Sequence, residues 1–313
     1  MKKNLFDKMK ILTSLNYISE VDECYFTKKV LGDEVVGYSL EQQTPYELYI
    51  HTDIRKNELT IEFTGKILHD RYPLLISEDT IYECFDNINK MHKCKLATDS
   101  IINDSTLLKC DVTKDVTCDN IGLLTEKIGS CITNHKRYAC PSYRNNLVIS
   151  KNVSTSNRKI RLCVYDKEEE LKRPENKAFL SLLKDSSRVL DHFEGKARFE
   201  MNLNSKRQIR EMLHIPDNGL LTVLRSSEQP IFNFLNKILY TSSCRKIDSL
   251  RKYEHFLLLE SCNFDLIKVE SVVRQYASPK THISQSMKPY IELSKCRWSE
   301  TGDIKEEILR LLD

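Results

Sequence analysis

Four short segments carry polar residues where a strand would be apolar, or where a strand would end: GKIL at 65–68, LKCDVT at 108–113, RLCVYDKEEEL at 161–171 and GKARFEMNL at 195–203. Tyr165 and Lys167 stand two apart in the third. A phenol, with a pKa near 10, needs a nearby lysine or metal before it attacks at neutral pH. In the fourth, Arg198, Phe199 and Glu200 alternate polar, apolar, polar, so that on a strand Arg198 and Glu200 share a face. In the second, Asp111 shares a face with Lys109 and Thr113 by the same rule. Each segment alone also fits an ordinary amphipathic strand with one solvated face.

Charge is the second signal. The 313 residues hold 48 Lys and Arg against 45 Asp and Glu, and a net charge of +3 does not by itself point to nucleic acid. The distribution is uneven. Between 127 and 165 lie Lys127, Lys136, Arg137, Arg144, Lys151, Arg158, Lys159 and Arg161 with no acid among them, interleaved with Tyr138 and Tyr143. That suits a surface that tracks phosphates and offers rings for bases to stack on, and it equally suits a solvated basic loop.

Other classes are excluded. The 11 Cys are odd in number, scattered from Cys24 to Cys296 and never spaced CxxC, so they read as reduced structural thiols. The 8 His form no HxH, HxxxH or HExxH, which removes sequence support for a closed zinc site. No G-x-G-x-x-G, GKS or GKT occurs, against Rossmann and P-loop folds. Mean hydropathy is −0.44 and no apolar run nears the ~20 residues of a membrane helix. The N-terminus lacks the apolar core of a secretory signal, so the expected compartment is the cytoplasm.

The elements that must position the candidate residues read as α+β, an antiparallel sheet flanked by helices. Strands are predicted at 37–40, 46–52, 58–63, 107–113, 147–150, 159–167 and 197–203, and helices at 77–91, with a Ser77 cap, 120–132, 177–190 and 205–213. From about Pro216 the pattern turns helical, and 255–276 has the length of a helix-turn-helix unit or of any small bundle. The sequence thus divides into 1–215 and a helical domain at 216–313.

Together, in this order and spacing, the four segments resemble the gene II/X-type replication proteins of filamentous phages and plasmids, which are rolling-circle nickases. VYDKEEEL at 164–171 and GKARFEMNLNSKRQIREMLHIP at 195–216 carry the resemblance; KCDVT and GKIL follow more loosely, and it spans roughly 61–216. It implies a rolling-circle initiator-like catalytic domain whose tyrosine becomes linked to a 5′ phosphate and frees a 3′ hydroxyl. It makes Tyr165 the nucleophile, with Tyr138 and Tyr143 open as alternatives, and Lys167 its neighbouring cation. It implies Mg²⁺ or Mn²⁺ on Asp111, Glu200 and Glu62, a phosphate clamp at Arg198, and DNA contacts at Arg144, Arg158, Lys159 and Arg161. Partners implied are single- or double-stranded origin DNA, a host helicase, a DNA polymerase and a single-strand-binding protein. The chain departs from histidine-rich nickases in lacking a His-hydrophobe-His motif, and His51 reads as structural. Two other readings stand beside this one: a non-catalytic, sequence-specific DNA-binding regulator, and a protein-interaction module working through the acidic N-terminal third.

Overall fold

The computed structural model describes residues 3–132, 138–143, 146–151, 160–239, 247–294 and 304–313. Its strands are β1 (Leu5–Ser14), β2 (Ile18–Ser19), β3 (Thr27–Leu31), β4 (Glu34–Gln42), β5 (Leu48–Asp53), β6 (Glu58–Thr64), β7 (Lys95–Leu96), β8 (Thr106–Thr117), β9 (Tyr138–Ala139), β10 (Ser142–Tyr143), β11 (Asn146–Lys151), β12 (Arg161–Asp166) and β13 (Lys196–Leu203). All but β2 and β7 join one sheet in the order β10-β11-β12-β13-β8-β1-β6-β5-β4-β3, with β9 also on β11, and its pairings are antiparallel. The class is the α+β one the sequence predicts.

The centre of the sheet is β1, between β6 and β8. Its sequence does not alternate: Phe6, Met9, Ile11 and Thr13 are buried, and the step from Phe6 to Met9 is one residue too long. A bulge absorbs the extra residue, Asp7, as the register passes from Phe6 opposite Val112 to Lys8 opposite Asp111. A period-two reading of the sequence misses this strand for that reason, and finds strands only from residue 37 onward.

One face of the sheet is the core. Met9 and Ile11, Ile61 and Phe63, Leu162 and Val164, and Phe199 and Met201 are all buried on it. Helices cover this face, and Phe85 of the helix Ile81–Asn89 meets Phe63 edge to face, ring centres 5.6 Å apart. Burying each such ring contributes roughly 1.5–3 kcal/mol. The helix Ile121–Cys131 begins where the Asn120 side chain accepts from Leu123 N, and packs on β11, β12 and the last helix, Ile304–Leu311.

Three local expectations change. Ser77 is not the cap of the first helix; the helix starts at Ile81, and Ser77 N instead donates to Thr80 Oγ1 within the preceding turn. The stretch 177–190 is two helices, Lys177–Leu180 and Ser186–Phe193, the second started by Asp185 accepting from Arg188 N. The strand expected to reach Lys167 stops at Asp166, whose side chain accepts from Glu169 N. Glu168, Glu169 and Glu170 then fill the first turn of the helix Lys167–Leu171, where the helix dipole favours acids. Lys167 therefore belongs to a helix.

Past Pro216, Leu220, Val223, Phe234, Leu235 and Ile308 join the main core. The helices Leu250–Ser261, Leu266–Tyr276 and Lys288–Ser294 build a second, smaller cluster around Leu259, Val269, Met287 and Leu293. No described helix is long and apolar enough to cross a membrane.

Gly37 of β4 marks one close approach. A Cβ there would lie 2.1 Å from the backbone oxygen of Thr52, while Tyr38 N donates to Thr52 Oγ1 at 2.8 Å and locks the two strands together. Gly37→Ala is expected to cost about 1–3 kcal/mol, read in urea denaturation as a lower midpoint with unchanged slope; an unchanged midpoint would show that β4 and β5 yield freely here.

Candidate active site on the polar face of the sheet

Antiparallel register sets the residues of the other face in rows that cross the strands. One row is Tyr165, Arg198, Asp115; the next is Cys163, Glu200, Thr113. A third runs Arg161, Asn202, Asp111, Lys8, Thr64, and a fourth runs Lys109, Lys10, Glu62, Tyr49, Glu41. Three of the four segments singled out by their polar residues, all but GKIL, thus meet on one surface.

At its centre the Tyr165 hydroxyl donates to Glu200 Oε2 at 2.7 Å. Asn202 Nδ2 donates to Asp111 Oδ1 at 2.7 Å and to Glu200 Oε1 at 3.2 Å, tying the two carboxylates together. Burial, and then the charge of Glu200, pushes the Tyr165 phenol well above its usual range. Burial and the same neighbour push Asp111 up to about 7. Asn202 thus bridges two carboxylates on neighbouring strands.

Arg198 is a different kind of residue from the expected phosphate clamp. It is 0% exposed. Its Nε and Nη2 donate to the two oxygens of Asp115 at 2.7 Å each, and its Nη1 donates to Asp7 at 3.2 Å and to Tyr72 Oη at 2.9 Å. The guanidinium lies 5.1 Å from the ring centre of Phe193 and 5.6 Å from that of Tyr72. Its donors are turned to the protein, so it holds strands β13, β8 and β1 and the 3₁₀ turns Gly65–Leu74 together.

Lys167 is also buried, at 2% exposure, and donates to Glu170 Oε2 at 2.5 Å. Its ammonium sits 5.6 Å from the ring centre of Tyr165 and 5.3 Å from that of Tyr72. It neighbours the ring of Tyr165, whereas the hydroxyl faces Glu200. Burial and Arg198 lower its pKa.

Glu62 lies on the same face, but its oxygens pair with Lys8 and Lys10 at 3.0 Å each. Arg161 is exposed in the row of Asp111. Arg144, Arg158 and Lys159 lie outside the described residues. Tyr138 packs edge to face on Phe234, and the side chain of Tyr143 lies outside the described residues.

Residues beyond the sequence expectation complete the site. Asn202 continues the alternation of Arg198 and Glu200 in RFEMN, a signal present in the sequence. Lys8 and Lys10 flank buried Met9, and with Lys109 and Arg161 they line a groove of about 340 Å³ beside Asp111 and Asn202. Asp7 and Tyr72 leave no pattern, because a bulge and a run of 3₁₀ turns deliver them.

Among the described residues no three or more His, Cys, Asp or Glu side chains converge to hold a metal ion. Asp111, Glu200 and Asn202 nevertheless supply hard oxygen donors, and Mg²⁺ is commonly held by one or two carboxylates together with substrate phosphate. Asp111 and Glu200 both bond to Asn202, whereas Glu62 is paired with two lysines and stands apart from them.

Arg198→Ala leaves Asp115 and Asp7 buried without their cation and is expected to cost about 3–5 kcal/mol, measured by chemical denaturation. Exposed Arg161→Ala is expected to change stability by less than about 0.5 kcal/mol; equal, small effects of both would return Arg198 to the surface role. Asp111 has its folded pKa above the unfolded value, so the folded state binds the extra proton between about pH 4 and 7 and the wild type loses that contribution as pH rises. In metal-free buffer the stability of Asp111→Asn relative to wild type is expected to climb through that window and then level; a flat difference would show that Asp111 ionises normally.

No curated protein and no solved structure matches the chain significantly. A family model for the N-terminal part of the gene II replication-associated protein of phages matches residues 77–220. That segment holds β8, β12 and β13, and with them Asp111, Tyr165, Lys167, Arg198, Glu200 and Asn202. A little under half of the chain, residues 77–220, is therefore similar to the N-terminal part of this replication-associated protein.

Proposed function

We propose that the protein initiates rolling-circle replication of a mobile element by nicking one strand of its origin DNA through Tyr165. One observation carries this reading: the Tyr165 hydroxyl is fixed on a carboxylate, on a sheet face whose next rows gather Lys8, Lys10, Lys109 and Arg161. Lys10 and Lys109 stand directly opposite each other on neighbouring strands. Like charges in that position oppose folding; Glu62 meets Lys10, and a polyanion lying over both lysines would relieve the rest.

The residues divide the reaction between them. Glu200 accepts the phenol proton, and the Tyr165 oxygen forms a bond to phosphorus as the bond from phosphorus to the 3′ oxygen breaks. The 3′ oxygen leaves to take up a proton as the free 3′ hydroxyl, and the 5′ phosphate stays on Tyr165. Lys167 holds the tyrosine ring from the side, and the lysines of the groove hold the backbone phosphates in register. Asp111 and Glu200, with Asn202, are the residues that would hold Mg²⁺ or Mn²⁺, which when bound neutralises charge on the phosphate. Origin DNA is the direct partner; a nick alone does not separate strands, so a host helicase and polymerase follow from the mechanism.

The test is incubation of end-labelled, single-stranded origin DNA of the encoding replicon with Mg²⁺ or Mn²⁺, followed by a denaturing gel. The wild type is expected to form a covalent adduct that Tyr165→Phe lowers by at least about 10³-fold. An adduct that survives the substitution moves the nucleophile elsewhere. DNA binding without any adduct in the wild type would make the protein a DNA-binding regulator.

A further inference from the structure

We propose that the same sheet face carries a second single-stranded DNA subsite, on β1, β6 and β5, in which a base stacks on Tyr49. The proposal rests on the origin-nicking reading and names where the strand runs after it leaves the tyrosine. Two grooves of about 340 Å³ each lie side by side on the face. The first reaches Arg161, Lys109 and Asp111; the second reaches Lys29, Tyr49 and His51; both share Lys8, Lys10 and Glu62 as walls. They form one trough across the strands with Asp111 and Asn202 toward one end, and Glu200 and Tyr165 follow one and two rows further along the strands.

The second groove is suited to a base rather than to a phosphate alone. Tyr49 stands opposite Glu62 on β6 and Glu41 on β4, with its ring on the polar face. Lys8 Nζ lies 5.9 Å from the ring centre, and the Glu62 carboxylate fixes Lys8 and Lys10 at 3.0 Å each beside it. A ring held among donors and acceptors offers a stacking platform to any base, and Lys10 and exposed Lys29 flank it for the adjoining phosphates. His51, whose Nδ1 has no hydrogen-bond partner among the described residues, lines the same groove. From β12, which carries Tyr165, to β5 is five inter-strand steps, ~24 Å at ~4.8 Å each, and the Tyr49 row lies three two-residue steps, ~20 Å, further along the strands. The combined separation of ~31 Å sets Tyr49 several nucleotides from the reacting phosphate. The groove lies outside residues 77–220, on strands that the family match does not include.

The experiment is fluorescence anisotropy of a twelve-residue oligothymidylate carrying a 5′ fluorescein, in metal-free buffer at low salt, with wild type, Tyr49→Ala and Tyr49→Phe. Tyr49→Ala is expected to weaken binding ~10-fold, within the range that one stacked base contributes, while Tyr49→Phe binds within about 2-fold of wild type. Far-ultraviolet circular dichroism checks that Tyr49→Ala folds, and Tyr49→Phe keeps the test valid if it does not, since a phenylalanine that binds as tightly as tyrosine requires the ring and not the hydroxyl. If Tyr49→Ala folds and binds like wild type, the subsite is overturned and the nicking proposal stands. If Tyr49→Phe loses as much as Tyr49→Ala, stacking is overturned. If the wild type binds no oligonucleotide at all, the nicking proposal fails and this one with it.

Discussion

The polar face depends on a guanidinium out of water. Arg198 has no exposed surface, and its cost of desolvation is offset only because Asp115, Asp7 and Tyr72 reach it from two strands and a 3₁₀ segment. Those contacts fix three things at once: the register of β13 on β8, the position of the bulge in β1, and the seat of the Gly65–Leu74 turns. A one-residue slip of β13 would send Arg198 to the core face and Glu200 with it. The buried pair is thus a register device first, and Glu200 faces Tyr165 because Arg198 two residues earlier cannot be elsewhere.

That constraint also decides which neighbour acts on the tyrosine. Lys167 is the nearest cation along the chain, yet the cap at Asp166 turns it into a helix, where it lies between the rings of Tyr165 and Tyr72 and bonds to Glu170. A cation beside a ring holds the ring; it does not take a proton from the hydroxyl. Glu200 is the group in hydrogen-bond reach of that proton, 2.7 Å away. The phenol is meanwhile harder to ionise than in water, so the Tyr165 hydroxyl keeps its proton and its hydrogen bond to Glu200.

How much of this the sequence discloses follows from the range of each signal. Alternation along β12 and β13 is local, so Tyr165, Arg198 and Glu200 are legible as polar residues of strands, and Asp111 as a polar residue beside Lys109. Whether a polar residue faces water or a partner is not local. Arg198 and Glu200 are two apart on the same face, and one is sealed by residues from positions 7, 72 and 115 while the other is not. Glu62 likewise reads as a free acid until β1 is laid beside β6 and supplies Lys8 and Lys10. β1 itself is hidden by its bulge, and with it goes half of the basic groove. The α+β class was accessible because it needs only the period of each segment; the roles of individual residues needed the order of the strands.

The strand order also explains why Asp111 and the lysines coexist as they do. Lys8 stands directly opposite Asp111 and would ordinarily hold a carboxylate ionised. It is already engaged by Glu47 at 2.5 Å and by Glu62 at 3.0 Å, so its pull on Asp111 is the weaker effect, and burial with the repulsion of Glu200 prevails. Strands β8 and β13 therefore present a carboxylate pair bridged by Asn202, while the N-terminal strands present cations arranged along a groove beside it. The two halves meet on the β1–β8 pairing. A phosphate lying along that groove would meet lysines on one side and the paired acids on the other, and the acids could face it at close range only with their charge met by a proton or a metal ion.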